Sequence, residues 1–229
     1  SRRVWDPAAV NSARRDMWVT SVLKEIEPGL SILDAGAGLR PYQGCCEHLE
    51  YFSQDFGEYD GKGSGRGLQV GEWDASTVDY ISDIKSIPVA DDSFDAVLCT
   101  EVLEHVPDAY GAILELDRVL KPGGRMILTA PFASLTHFAP YHYTSGFGAE
   151  FYRFVLGERL GYRILKMEAN GNYFEFLAQE LNRARQVAQR YTSVGESADF
   201  QPGFAEVLRV LETWSSFDTG SDELLCFGY

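Results

Sequence analysis

Two glycines, Gly36 and Gly38, flank a single alanine directly after the short apolar run Ser31-Ile32-Leu33-Asp34-Ala35. Glycine lets backbone come close to a ligand that a Cβ would hold off. A helix start beyond such a turn offers free N–H groups to a polar or anionic partner. Asp55 ends the next strand candidate, near the roughly 20-residue offset at which dinucleotide folds place the acid that accepts from ribose hydroxyls. Pro41 stands where those folds need a third small residue, which speaks against a pyrophosphate site. Asp83 closes a third segment, followed by Ile84. A carboxylate there can accept from the adenine amine while the next backbone N–H donates to the ring. For Asp83 alone, a loop cap or a solvated acid is the commoner explanation. Together the three determinants, at three successive strand ends, suit an adenosine-like ligand without a pyrophosphate.

A second group of reactive side chains lies further along. Of the four histidines, three are His105, His137 and His142. A neutral imidazole can take a proton from a hydroxyl or an amine. His137 and His142 sit in an aromatic stretch, where one serves as general base or both line a pocket. For His105 a structural or pocket role is preferred over base catalysis. Tyr141 and Tyr143 can hydrogen-bond or stack on a substrate, with packing of the loop as the simpler account. Asn172, in Asn170-Gly171-Asn172, offers an amide to a polar substrate or forms a plain turn. Cys45, Cys46, Cys99 and Cys226 show no C-x2-C spacing, so neither a zinc motif nor a disulfide framework is expected, and no metal site is assigned.

The elements that hold these residues follow from periodicity. Asp6-Pro7 caps a helix whose stripe runs through Val10, Ala13, Met17, Leu23 and Ile26 until Pro28-Gly29. Strands are expected at 31–35, 50–54, 78–82, 94–99 and 125–130, with further ones at 162–167 and 223–229. Asp108 opens a helix with Ala109, Ile113, Leu116 and Leu120 on one face, stopped by Lys121-Pro122-Gly123-Gly124. Helices are also expected at 149–160, 173–191 and 203–214, and the glycine-dense stretch Gly57–Gly67 reads as a flexible loop. The alternation predicts an α/β, Rossmann-like doubly wound sheet of about seven strands. It is mostly parallel with an antiparallel last strand, and helices cover both faces. One domain over 1–229 is expected: an N-terminal helical segment (1–28), a ligand-binding half (29–130), and a substrate-side half with extra helices (131–229).

The chain has 229 residues, 45% hydrophobic and 24% charged, which is ordinary globular usage. Its 20 basic and 34 acidic residues give a net charge of −14, which argues against a phosphate-tracking nucleic-acid binder. No apolar run approaches transmembrane length, and the N-terminus lacks the apolar run of a signal peptide. A cytoplasmic protein that engages no membrane is the expectation, with the oligomeric state left open.

The motifs resemble those of class I S-adenosylmethionine-dependent methyltransferases of the bacterial small-molecule group. The matching pieces are Ile32–Gly38, Asp55, Asp83-Ile84, Ser93–Leu98, Glu101–Val106 and Leu120–Gly124, in family order over residues 30–130. The resemblance implies S-adenosylmethionine as cofactor and S-adenosylhomocysteine as product. It implies that Gly36 and Gly38 lie against the methionine part, with Asp34 organising the turn and reaching the ammonium group through water. Asp55 would hold the ribose and Asp83 the adenine amine, with the Ile84 backbone beside the ring. Glu101 would lie beneath the cofactor near the methyl. The wording Leu39-Arg40-Pro41-Tyr42 departs from the commonest form of the motif. No Asn-Pro-Pro-Tyr segment or Pro-Cys nucleophile follows, which disfavours nucleobase and glutamine acceptors. The expected reaction is methyl transfer to a hydroxyl, amine or carboxyl of a small molecule, with a carbohydrate or secondary-metabolite intermediate preferred. A nicotinamide- or nucleotide-binding enzyme and a non-catalytic cofactor-binding regulator are the alternatives.

Overall fold

The structure, a computed structural model, describes residues 5–193 and 201–229. The chain divides into two compact units: Asp16–Met167 with Tyr229, and the N-terminal residues to Arg15 with Glu168–Gly228. The larger unit is built on a parallel sheet. Its strands are β1 (Ser31–Ala35), β2 (Glu50–Asp55), β3 (Tyr80–Ile81), β4 (Phe94–Thr100) and β5 (Leu120–Thr129), in the order β3-β2-β1-β4-β5. A parallel strand is buried on both faces, which is why these segments read as continuous apolar runs. In β4, Ala96, Val97, Leu98 and Cys99 are all fully buried.

Alternate residues feed two cores. Leu33, Val97 and Cys99 pack with Ile113, Leu116 and Val119 of α2 (Ala109–Val119), while Ile32, Ala96, Leu98 and Ile127 pack with Val19, Val22 and Leu23 of α1 (Pro7–Leu23). Helices therefore cover both faces, as the doubly wound reading requires. Asp108 caps α2, its Oδ1 accepting from the Gly111 N–H at 2.9 Å, a contact worth about 1 kcal/mol. Asp6 does the same for α1 through the Ala8 N–H.

Among the described residues five strands stand where about seven were expected. Tyr162–Met167 is extended but joins no ladder, and Leu165 is 63% exposed. The antiparallel last strand, 223–229, contracts to a bridge between Asn170 and Gly228 and a reciprocal backbone pair between Tyr229 and Ala130. Both segments carry apolar residues at strand length, yet neither has a full-length neighbour to pair with. The third strand shortens from five residues to Tyr80–Ile81. Lys121–Gly124 stops α2 as expected but then enters β5 as an irregularity: the register steps from Phe94 opposite Leu120 to Ala96 opposite Arg125. On α1, Met17 is 72% exposed, and Val19, Val22 and Leu23 turn to the core instead.

The helix expected at 149–160 is α3, an α-turn at Ala149–Tyr152 that continues as a π-helix over Arg153–Arg159. The smaller unit contains α4 (Tyr173–Tyr191) and α5 (Gln201–Ser216), with the Phe174 and Trp214 rings 5.8 Å apart. Asn170 donates to Asn11, and Arg14 pairs with the buried Glu175 at 2.6 Å. A cavity of about 770 Å³ in this unit is lined by Arg14, Asn172, Glu175 and Glu212 among others. Among the described residues no helix is long and apolar enough to cross a membrane.

Candidate active site

The order of the sheet places a switch between β1 and β4: from β1 the chain moves outward to β2 on one side, and β4 then returns to the other. Open α/β sheets bind ligands beyond the carboxyl ends of their strands at such a point. Both glycines of the turn have left-handed backbone, with φ +72° at Gly36 and +50° at Gly38. What approaches them closely is side chain. A Cβ on Gly36 would fall 2.4 Å from Val102 Cγ2, and one on Gly38 would fall 2.2 Å from Trp73 Cζ2. The close-approach face of the turn is thus covered by an isopropyl group and an indole.

Asp55, only 6% exposed, accepts from the Gly38 N–H at 3.0 Å and the Gly57 N–H at 2.9 Å. Each carboxylate oxygen keeps capacity for a further donor. Burial raises its pKa, opposed by these backbone hydrogen bonds. Gln54 beside it is buried, accepts from the Gly36 N–H and donates to the Ser82 carbonyl. Asp34 lies under the turn, 2% exposed, accepting from the Tyr51 hydroxyl at 2.6 Å. Burial pushes its pKa up to about 7 despite that bond. Asp83 is exposed and turns back to accept from the Lys85 N–H, while the Ile84 side chain belongs to the core. Glu101 has φ +54° and is held to β5 by its N–H on the Thr129 carbonyl and by the Thr129 hydroxyl on its Oε1.

The glycine-dense loop is pinned by hydrogen bonds. Leu68 bridges His137 in parallel, and Ser64 N–H donates to the Ala139 carbonyl. Gly61, Gly63 and Gly67 each press on a backbone carbonyl, within 2.1 to 2.5 Å of where a Cβ would stand. Their glycines serve close approach of main chain to main chain, a job that composition alone does not separate from flexibility.

That pairing carries the aromatic stretch back toward β4. Trp73 meets Phe138 at 5.5 Å between centroids, and Phe138 stacks on Tyr59 at 4.6 Å and on His105 at 5.0 Å. His105, His137 and His142 then gather, each offering a ring nitrogen within 4.8 Å of the others. His105 Nδ1–H donates to the Tyr141 carbonyl and His137 Nδ1–H to the Leu135 carbonyl, because a carbonyl can only accept. Each Nε2 faces Glu104 Oε1, at 3.6 and 3.9 Å, and Glu104 is 1% exposed. Burial lowers the pKa of His105 to about 4 and that of His142 in the same direction. The Tyr141 hydroxyl donates to Glu58, and Tyr143 is 51% exposed with its N–H on the Glu104 carbonyl. Asn172 lies in the smaller unit, where its side chain caps α4 by accepting from the Glu175 N–H.

The sequence profile of a family described as a methyltransferase domain matches residues 63–128. A demethylmenaquinone methyltransferase of Renibacterium salmoninarum is 34% identical over 119 residues, covering 50% of this chain and 46% of its own. A cycloartenol-C-24-methyltransferase of Arabidopsis thaliana is 35% identical over 108 residues, covering 43% and 30%. Over these segments the chain is similar to methyltransferases. It spans less than half the length of these curated relatives. Among solved structures, phosphoethanolamine N-methyltransferase 2 of Haemonchus contortus, in complex with S-adenosylmethionine, superposes with a TM-score of 0.50 at 15% identity. That match covers 89% of this chain and 49% of the other. The cyclase SpnF shares the fold at TM-score 0.50 and 21% identity, over 94% and 78% of the two chains.

The structure places Asp55 against the glycine turn and brings the three histidines expected from sequence together. Gln54, Trp73, Val102 and Glu104, not singled out from sequence, contact these residues. Gln54 was adjacent to a chosen acid, but Trp73 and Val102 are apolar loop residues with no periodicity to mark them.

Proposed function

We propose that this methyltransferase binds S-adenosylmethionine across the Gly36–Gly38 turn and methylates an oxygen of a small molecule held beside the histidine cluster. The observation that carries the reading is Asp55: a buried carboxylate fixed at the end of β2 against the glycine turn. Such a carboxylate can accept from ribose hydroxyls, with Asp34 organising the turn from below. The Asp83 carboxylate and the Ile84 N–H are assigned to the adenine edge. Glu101 borders the methyl side, held in place by Thr129.

When bound, the cofactor supplies an activated methyl: the carbon–sulfur bond breaks as the carbon–oxygen bond forms, and the electron pair stays on sulfur. The protein's task is alignment and exclusion of water, a positioning effect that can amount to several kcal/mol. The acceptor's proton must also leave, and the imidazoles of His105, His137 and His142 are the bases in reach of the loops after β4 and β5. Tyr141 and Tyr143 are assigned to the acceptor wall. For Asn172, its cap on α4 makes a structural role sufficient.

S-adenosylhomocysteine should bind in the micromolar range by calorimetry, and NAD should not bind. The reverse result sinks the reading. Labelled-methyl turnover with a metabolite extract then separates an enzyme from a binding module, a distinction that matters because one fold hosts many activities.

Trp73 gives a second check. Its indole covers Gly38, so a ligand that approaches that glycine must displace it. Adding S-adenosylhomocysteine should change the tryptophan emission. The change should vanish in Trp73→Phe and survive in Trp18→Phe. Binding without any emission change would leave the indole where it is and move the ligand elsewhere.

A further inference from the structure

The histidine cluster has a geometry that proton transfer alone does not explain. Three imidazoles, from the turn after β4 (His105) and the loop after β5 (His137, His142), bring one nitrogen each within 4.8 Å of the other two. Two of the rings are fixed by the same device. Their Nδ1–H groups are tied to main-chain carbonyls of Tyr141 and Leu135, which leaves Nε2 as the donor atom of the neutral ring. Metal-binding histidines are commonly oriented in this way, through the nitrogen that does not coordinate. His142 Nδ1 is buried with no hydrogen-bond partner.

The third feature is the carboxylate. Glu104 Oε1 lies 3.6 Å from His105 Nε2 and 3.9 Å from His137 Nε2. These separations exceed a hydrogen bond. They are close to the edge of a tetrahedral coordination sphere, about 3.4 Å for bonds of about 2.05 Å. We propose that His105, His137 and His142 bind a divalent transition-metal ion of the zinc type, with the buried Glu104 carboxylate balancing its charge. Imidazole donors suit zinc and its neighbours better than magnesium or calcium, which take oxygen. The alternative, a packed cluster without an ion, accounts for the stacking of His105 on Phe138 but not for two rings held with Nε2 toward one carboxylate.

Resting on the function proposed above, such an ion would orient and acidify an acceptor hydroxyl taken as a further ligand, because zinc can expand from four to five ligands. The nitrogens would then be ligands and not bases. Metal binding itself is independent of that reading and is tested without cofactor.

The experiment titrates the full chain, stripped with chelator, with Zn²⁺ in a calorimeter and with Co²⁺ by visible absorption. One saturable equivalent is expected, weakened at least a hundredfold in His137→Ala and in His142→Ala. S-adenosylhomocysteine affinity and metal-free melting should be unchanged in both variants. Cys45→Ser should bind metal like wild type. In the unmutated protein, the imidazole nitrogen resonances of His105 and His137 should shift on adding Zn²⁺, so the test does not depend on the variants folding. No saturable binding, equal affinity in the histidine variants, or loss of binding in Cys45→Ser overturns the proposal. Loss of S-adenosylhomocysteine binding with metal binding intact would instead overturn the methyltransferase assignment and leave the ion site standing.

Discussion

Asp34→Asn should change the pH dependence of stability by about 4 kcal/mol between pH 3 and pH 8. The folded carboxyl is pushed up to about 7 from its ordinary 3.8, mainly by burial, and three pKa units correspond to about 4 kcal/mol. A raised acid binds its proton more tightly when folded. Its stabilising contribution is therefore fully present below pH 3.8 and disappears as pH rises through about 7. Asparagine does not titrate, so the variant gains on wild type steadily across that window. His105 works in the opposite sense: with its folded pKa lowered to about 4, it destabilises the native state as pH falls below the ordinary histidine range. The two partly cancel in wild type, and the difference between variant and wild type isolates Asp34. Denaturant unfolding at several pH values measures it. A difference that stays constant with pH would mean that Asp34 ionises normally inside the fold.

Asp55→Ala should weaken S-adenosylhomocysteine binding roughly ten- to a hundredfold, about 1.5–3 kcal/mol, the usual size for a hydrogen bond to a charged group. Two effects add. The ribose loses its acceptor, and the Gly38 and Gly57 N–H groups lose the carboxylate that fixes the turn. Asp55→Asn keeps one acceptor oxygen and should fall between the two. Calorimetry on variants with wild-type circular dichroism is the measurement. Unchanged affinity in both would place the ribose elsewhere.

The parts of this molecule that could be read from sequence are those decided locally. Asp108 and Asn172 cap their helices through side chains three residues from the N–H they accept. The full length of α4 follows from its 3.6-residue pattern. The glycine turn is marked by the apolar run before it, and Asp55 by its distance along the chain. The histidine cluster was legible as residue types but not as a group. Nothing in a linear pattern says that the turn after β4 and the loop after β5 will meet; the strand order decides that. The overcount of strands has the related cause that a short apolar segment marks a stretch able to pair, and pairing needs a neighbour. Trp73 could not have been found because its role depends on what it covers.

The contacts of Gly61, Gly63 and Gly67 bear on how this chain can drift and be engineered. A glycine-rich loop invites stiffening by substitution, since replacing glycine reduces the freedom of the unfolded chain. Here that route is closed at these three positions, where main chain already fills the space of a side chain. Gly65 and Gly71 have open space around them, but their positive φ of +72° and +97° strains any side chain, asparagine least at Gly65. A lineage of such sequences would keep an uneven imprint: glycine at 63 and 67 for as long as the two loops stay zipped together, glycine at 61 for as long as its own loop folds back at Gly71, and only residues that tolerate positive φ at 65 and 71.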